Sequence, residues 1–213
     1  PPPPPPPPPF FFHADAGTRD AQESRGLGDV YKRQGKNLFD EYPDGSCQII
    51  FGAGCFWGVE RVFWQLDGVW TTYVSYSGGR RENPSYEQVC TGVTGHAETV
   101  NVIYKPDEIS LESLLKVFWE CHDPTQGDRQ GNDIGSQYRS AIYCESQQQL
   151  EAACKSLELF NEVLTTKGFP KITTEIAMNQ PSFIAEEYHQ QYLAKNPNGY
   201  CGIKGTGCVL PPL

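Results

Sequence analysis

The sequence predicts an α+β fold, with helices packed on one sheet as a two-layer sandwich. Apolar runs of strand length alternate along the chain with stretches whose apolar residues recur at i, i+3, i+4 and i+7. The joints between them carry Gly, Pro, Asn or Ser. Length adds a bound, since roughly 175 of the 213 residues have globular composition, which is one domain's worth. That domain is expected at 35–213, after an extension at 1–34.

The elements follow in order. Nine prolines and FFFHADAGTRDAQESRGLGDVYKRQ show no apolar period, so 1–34 is expected to lie outside the fold as disordered or artefactual sequence. It lacks a basic region followed by an apolar one, and resembles translated adaptor sequence more than a targeting peptide. A real polyproline run would be a stiff spacer. Pro43, Asp44 and Gly45 then turn the chain into a strand at 47–51. A helix from Gly58 presents Val59, Val62, Phe63 and Leu66 on one face, and Gly68 ends it. A strand at 70–76 leads to a Ser77-Gly78-Gly79 turn. Asn83-Pro84 has N-cap and N1 chemistry for a short helix carrying Tyr86, Val89 and Cys90.

The strand at 98–104 puts Val100, Val102 and Tyr104 on one face, and Pro106 closes it. Ser110 caps a helix whose Leu111, Leu114, Leu115 and Phe118 share a core face. The polar, Gly-rich stretch 122–135 is long for a compact domain unless it serves a site. A strand at 138–144 precedes the longest helix, 146–167, with Gly168 past its end and Pro170 beyond. A strand at 172–177 and a helix capped by Ser182 and running through Leu193 complete the regular elements. The tail, with glycines at 199, 202, 205 and 207, is expected to be a mobile coil.

Composition excludes several functions. The net charge of −9 argues against a nucleic-acid or anionic-membrane surface, and no apolar stretch is long enough to span a bilayer. Eight cysteines scattered through predicted strands and helices fit reduced thiols in the cytoplasm better than a secreted disulfide framework. Without C-x-x-C or zinc-finger spacing, and with His96 and His122 a strand and a helix apart, no metal site is expected.

The chain is organised around Gly52-Ala53-Gly54-Cys55-Phe56-Trp57-Gly58. A lone cysteine is more often an inert core residue. A strand ending in glycines before a helix, however, puts Cys55 where unpaired N–H groups and the helix dipole favour a thiolate. Phe56 and Trp57 add an apolar wall suited to a small uncharged group such as a methyl on sulfur. A dinucleotide-binding turn has similar ingredients, but the spacing here is G-x-G-x-x-x-G and the two aromatics obstruct the approach a pyrophosphate needs.

GCFWG opening a helix, GHAE at 95–98, DPTQGDRQGNDIGSQYRS at 123–140, HQQYL at 189–193 and GYCG in the tail together resemble peptide methionine sulfoxide reductase of the A type, over 47–213. The resemblance implies a ferredoxin-like core and reduction of methionine S-sulfoxide, free or in oxidised proteins, by a monomer with no bound cofactor. Cys55 is then the nucleophile. Sulfoxide oxygen leaves only with a proton, so an acid is needed, and Glu98 matches the family's catalytic carboxyl. The resemblance also places Tyr86, Tyr138 and Asp133 in the site beside Phe56 and Trp57, with His189 nearby.

The oxidised Cys55 is a sulfenic acid that a second thiol condenses to a disulfide. By resemblance Cys201 attacks Cys55, Cys208 then attacks Cys201, and thioredoxin, or a dithiol, reduces the product. Only six residues separate Cys201 from Cys208, fewer than family members usually have. Cys47, Cys90, Cys121, Cys144 and Cys154 are expected to be structural. Two other functions compete: a thiol hydrolase using His96, His122 or His189 as base, and a non-catalytic peptide-binding module.

Overall fold

The computed structural model describes residues 41–213, so the expected extension at 1–34 lies outside the described residues. The fold is mixed α/β. Its main sheet has six strands: β1 (Cys47–Ala53), β2 (Val69–Ser77), β3 (Ala97–Tyr104), β6 (Ser140–Cys144), β7 (Glu175–Met178) and β8 (Ser182–Ile184). Two short strands, β4 (Arg129–Gln130) and β5 (Asp133–Ile134), form a separate hairpin. The α-helices are α1 (Phe56–Trp64), α2 (Tyr86–Cys90), α3 (Leu111–Cys121), α4 (Gln147–Thr166) and α5 (Tyr192–Lys195). The main sheet runs β7-β6-β1-β3-β2-β8, with every pair antiparallel except β6 and β7. That parallel pair requires a crossover, which α4 supplies.

Period-2 patterning decides which side of the sheet is apolar. Ile49 and Phe51 of β1, Val100, Val102 and Tyr104 of β3, and Ile142 of β6 join Phe63, Phe118 and Phe160 from the helices in one buried cluster. Phe51 is its centre, stacked on Phe63 at 4.8 Å and on Phe118 at 5.0 Å. The alternate residues of the same strands are buried too, but many are polar. Asn101 Nδ2 donates to Ser75 Oγ at 2.6 Å, Ser182 Oγ to Ser75 Oγ at 2.9 Å, and Ser75 and Thr99 hydroxyls meet at 2.8 Å. Such groups tolerate burial because each is hydrogen-bonded.

Several boundaries differ from expectation for identifiable reasons. Helix α1 begins at Phe56 rather than Gly58, so its buried face is Phe56, Val59, Glu60, Phe63 and Trp64, and Val62 is only half-buried. Ser85, not Asn83, caps α2: its Oγ accepts the Gln88 N–H and Gln88 Oε1 accepts the Ser85 N–H, while Asn83 sits at φ 47°. The expected strand at 138–144 begins at Ser140, after a 3₁₀ turn over Ser136–Tyr138.

Ser182 caps no helix. It starts edge strand β8, its hydroxyl drawn into the Ser75–Asn101 network. Gln190 then takes both the N–H and the carbonyl of Val74 on its side-chain amide, each at 2.9 Å. A segment pinned this way to β2 cannot coil into one helix, and it forms a 3₁₀ turn (Glu187–His189) and the short α5. The tail carries no helix or strand, but its end is docked rather than loose: Cys208 and Leu210 belong to the main core cluster. Among the described residues, no helix is long and apolar enough to cross a membrane.

The cap of α4 gives a stability prediction. Ser146 accepts the Gln149 N–H at 3.2 Å, so Ser146→Ala is expected to lower unfolding free energy by about 1 kcal/mol in urea denaturation. No change in the urea midpoint would contradict the cap's contribution.

Candidate active site

Strands β1 and β3 are antiparallel neighbours, so the end of β1 that leads to Cys55 lies beside the start of β3 that carries Glu98. Between strand and helix, Gly54 turns the chain at φ 98°, a conformation that a residue with a side chain resists. The space there is filled by Gln130, whose Cγ lies 2.7 Å from where a Cβ would stand. Gln130 is itself fixed, accepting the Asp123 N–H and donating to the Asp123 carbonyl. The long polar stretch therefore buttresses the turn. Cys55 occupies the N-cap of α1, half-buried, with no side-chain cap of its own.

Glu98 is 2% exposed, and its Oε2 accepts the Phe56 N–H at 3.0 Å. Burial pushes its carboxyl up to about 8; the Phe56 N–H works against that, and the nearby Asp133 reinforces it. Burial also pushes the Cys55 thiol up, and a Glu98 carboxylate pushes it further, while the N–H groups of Trp57 and Gly58 pull it down. This corrects the expectation of a thiolate set by the helix N-terminus alone. The helix does favour the charge, but desolvation outweighs it. Near neutral pH the Glu98 carboxyl keeps its proton.

Cys55, Phe56, Trp57, Tyr86, Glu98, Asp133, Tyr138 and Tyr200 line one cavity of about 240 Å³. Burial raises the hydroxyl pKa of Tyr86 and of Tyr138, and Glu98 adds to it in both, so both stay protonated donors. Trp57 stacks on Tyr192 at 3.9 Å and donates through Nε1 to His189 Nδ1 at 3.0 Å. His189 is buried against Phe56 and Tyr86, with ring centroids at 5.0 and 4.6 Å. Burial lowers its pKa to about 4, so the ring is neutral and supports the aromatic wall.

Two contributors escaped the sequence analysis. Tyr200 lines the cavity and donates to both Asp133 carboxylate oxygens, at 3.2 and 3.1 Å. Its position just before Cys201 was the available signal. Glu186 accepts from Tyr76 Oη at 2.7 Å and from the Tyr86 N–H at 2.9 Å, fixing α2 beside the cavity; nothing in the local sequence marks it.

Of the tail cysteines, Cys201 comes back over α1, its Sγ 3.1 Å from where a Cβ would stand on Gly58. Cys208 does not line the cavity and is buried in the core cluster. Of the cysteines expected to be structural, Cys144 is buried and Cys47 and Cys121 are half-buried, whereas Cys90 and Cys154 are exposed. Their helical positions resembled core because α2 is one short turn and α4 shows only part of its circumference to the sheet.

A hydrolase would need a histidine base at Cys55. His96 is held by the Gly79 N–H and the Arg81 carbonyl, and His122 by the Phe118 carbonyl and Ser140 Oγ. His189 Nδ1 is taken by Trp57. Among the described residues, no group of three or more His, Cys, Asp or Glu is placed to hold a metal ion.

A family model described as peptide methionine sulfoxide reductase matches residues 47–208. The chain is 58% identical over 178 residues to peptide methionine sulfoxide reductase MsrA of Azotobacter vinelandii, covering 84% of this chain and 82% of that one. Methionine sulfoxide reductase A of Corynebacterium diphtheriae has a solved structure with TM-score 0.76 and 40% identity, over 86% of this chain and 90% of that one. Mxr1 from Saccharomyces cerevisiae in complex with Trx2 shares the fold at TM-score 0.52 and 24% identity, over 79% of this chain and 95% of that one.

The coupling of Cys55 to Glu98 predicts the effect of removing the charge. A carboxylate beside the sulfur disfavours thiolate, so Glu98→Gln should move the pH profile of Cys55 alkylation by iodoacetamide to lower pH. An unmoved or higher midpoint would contradict the coupling.

Proposed function

The chain belongs to the peptide methionine sulfoxide reductase family, and on that premise we propose that Cys55 and Glu98 together take the oxygen from methionine S-sulfoxide, free or in a polypeptide. The observation that carries this is the Glu98 carboxyl, kept protonated near neutral pH and bonded to the first N–H of the helix that Cys55 caps.

The substrate methyl lies against Phe56 and Trp57, and the sulfoxide oxygen faces Glu98, Tyr86 and Tyr138. Cys55 gives up its proton to solvent and attacks sulfur, its charge met by the N–H groups of Trp57 and Gly58. The Glu98 proton passes to the oxygen, which becomes a hydroxyl on the substrate sulfur. That adduct collapses to methionine and a Cys55 sulfenic acid, and Glu98 recovers a proton from solvent. Asp133, tied to Tyr200, holds the side of the cavity nearest the tail.

Cys201 then condenses with the sulfenic acid: an S–S bond forms and water leaves. Its place over Gly58 supports this role. Cys208 attacks Cys201, freeing Cys55, and a dithiol such as thioredoxin reduces the Cys201–Cys208 disulfide. The yeast relative found with Trx2 supports that partner. No bound cofactor is needed, because the thiols carry both electrons. Eight free cysteines suit a reducing compartment such as the cytoplasm. The core, β1-α1-β2-β3-α3-β6 with the four strands in the order β6-β1-β3-β2, supports a ferredoxin-like description; we read the chain as one domain at 35–213 that acts as a monomer.

Two experiments test the chemistry. Cys201→Ser should still yield about one equivalent of methionine per enzyme while thioredoxin-driven turnover is lost; unchanged thioredoxin turnover would remove Cys201 from the cycle. Glu98 is active as an acid, the form present below its pKa. Attack also needs an ionised Cys55, whose thiol burial pushes up, so the single-turnover rate should climb with pH and level off as Glu98 loses its proton through about 8, and Glu98→Gln should slow it about 10²-fold or more. A rate that keeps climbing past pH 9 would contradict the assignment.

A further inference from the structure

The last thiol of the chain is held away from the cavity. Cys208 is 3% exposed and Leu210 is 5% exposed. The segment that carries them is tied to α3: the Leu210 N–H donates to Glu120 Oε1 at 2.9 Å. Gly205 lies so close to the Glu120 carbonyl oxygen that a side chain there would collide with it. Glu120 also pairs with Lys116, one turn back along α3. Cys201, by contrast, is half-buried and rests on α1 at Gly58. The two sulfurs that meet in the final exchange are thus anchored on different helices.

We propose that Glu120 is a positioning residue for the reaction: it clamps the tail at Leu210 onto α3 and keeps Cys208 in reserve until the clamp opens. This rests on the relay proposed above and adds its order. Thiol–disulfide exchange needs access to the target sulfur, and a buried thiol lacks it. While the clamp is closed, Cys201 alone competes for the Cys55 sulfenic acid. Once it opens, Cys208 loses its proton to solvent and attacks Cys201. The Cys201–Cys208 bond forms, the Cys55–Cys201 bond breaks, and Cys55 leaves as a thiolate that takes up a proton. Glu120 touches none of these sulfurs and acts on Cys208 through the backbone at Leu210.

The test is alkylation of the reduced, full-length chain by N-ethylmaleimide, read site by site by mass spectrometry. In the parent, exposed Cys90 and Cys154 should label fast, and Cys208 should stay as protected as buried Cys144. Glu120→Ala should raise Cys208 labelling about tenfold or more, the scale set by losing one hydrogen bond to a charged acceptor, with Cys90, Cys154 and Cys144 unchanged. Glu120→Gln keeps an acceptor oxygen and should restore most of the protection. Single-turnover methionine yield should be the same in all three proteins. Cys208 labelling as fast as Cys90 in the parent, or unmoved by Glu120→Ala, would overturn the clamp. So would a rise at Cys208 matched by an equal rise at Cys144, which reports general loosening. Labelling uses neither sulfoxide nor thioredoxin, so it is independent of whether Cys208 serves the relay; thioredoxin turnover in Cys208→Ser decides that separately.

Discussion

The hydrogen bond from the Phe56 N–H to Glu98 Oε2 joins the first turn of α1 to the start of β3, and the pocket is built around it. It fixes a carboxyl beside the residue that caps the same helix, so the Cys55 thiol and the Glu98 carboxyl, the proposed nucleophile and acid, share one piece of backbone. Alone, the bond would stabilise the carboxylate. Burial at 2% exposure overrides it and leaves an acid. The same burial raises the Cys55 thiol, so the helix N-terminus counters desolvation without producing a permanently ionised sulfur. In the reaction proposed above, reactivity is thereby confined to the moment when a substrate accepts the Glu98 proton.

The surroundings divide into a fixed wall and an attached tail. The wall is stitched to the sheet and to α1 and α2 along one segment: Glu186 to Tyr76 and Tyr86, Gln190 to Val74, and Gln191 to Glu60. Glu60, fully buried on α1, also accepts the Thr72 hydroxyl at 3.1 Å. These contacts hold His189 in place, and His189 orients Trp57. The tail has no helix or strand and is anchored at separate points, Tyr200 to Asp133 and Leu210 to Glu120. A fixed wall suits selection of a methyl sulfoxide. Point anchors suit the partner exchange proposed for the tail thiols.

Most strands and helices were legible in the sequence because their apolar periods coincide with real burial, as along β3 and α3. The segment after β8 was not. Ser182 and the residues after it carry a helical pattern, but long-range bonds from Gln190 to Val74 and from Ser182 to Ser75 prevail over it. The cap of α2 was misplaced because Asn83-Pro84 has the right residue types, whereas Ser85 and Gln88 have the right spacing. In the pocket, motif residues were found because each stands in a distinctive local string. Tyr200 was passed over because its role depends on Asp133, distant in sequence, and Glu186 because its partners are Tyr76 and Tyr86. The thiol pKa was misjudged for a related reason: desolvation belongs to the folded cavity and leaves no mark in a heptapeptide.

The acid at residue 98 is most directly measured by NMR titration of the carboxyl carbon in protein labelled with ¹³C-glutamate, its resonance assigned by comparison with Glu98→Gln. A midpoint near 8 is predicted. A midpoint in the ordinary carboxylate range, about 4.3, would mean that the cavity holds a glutamate anion at neutral pH and has no proton there to give.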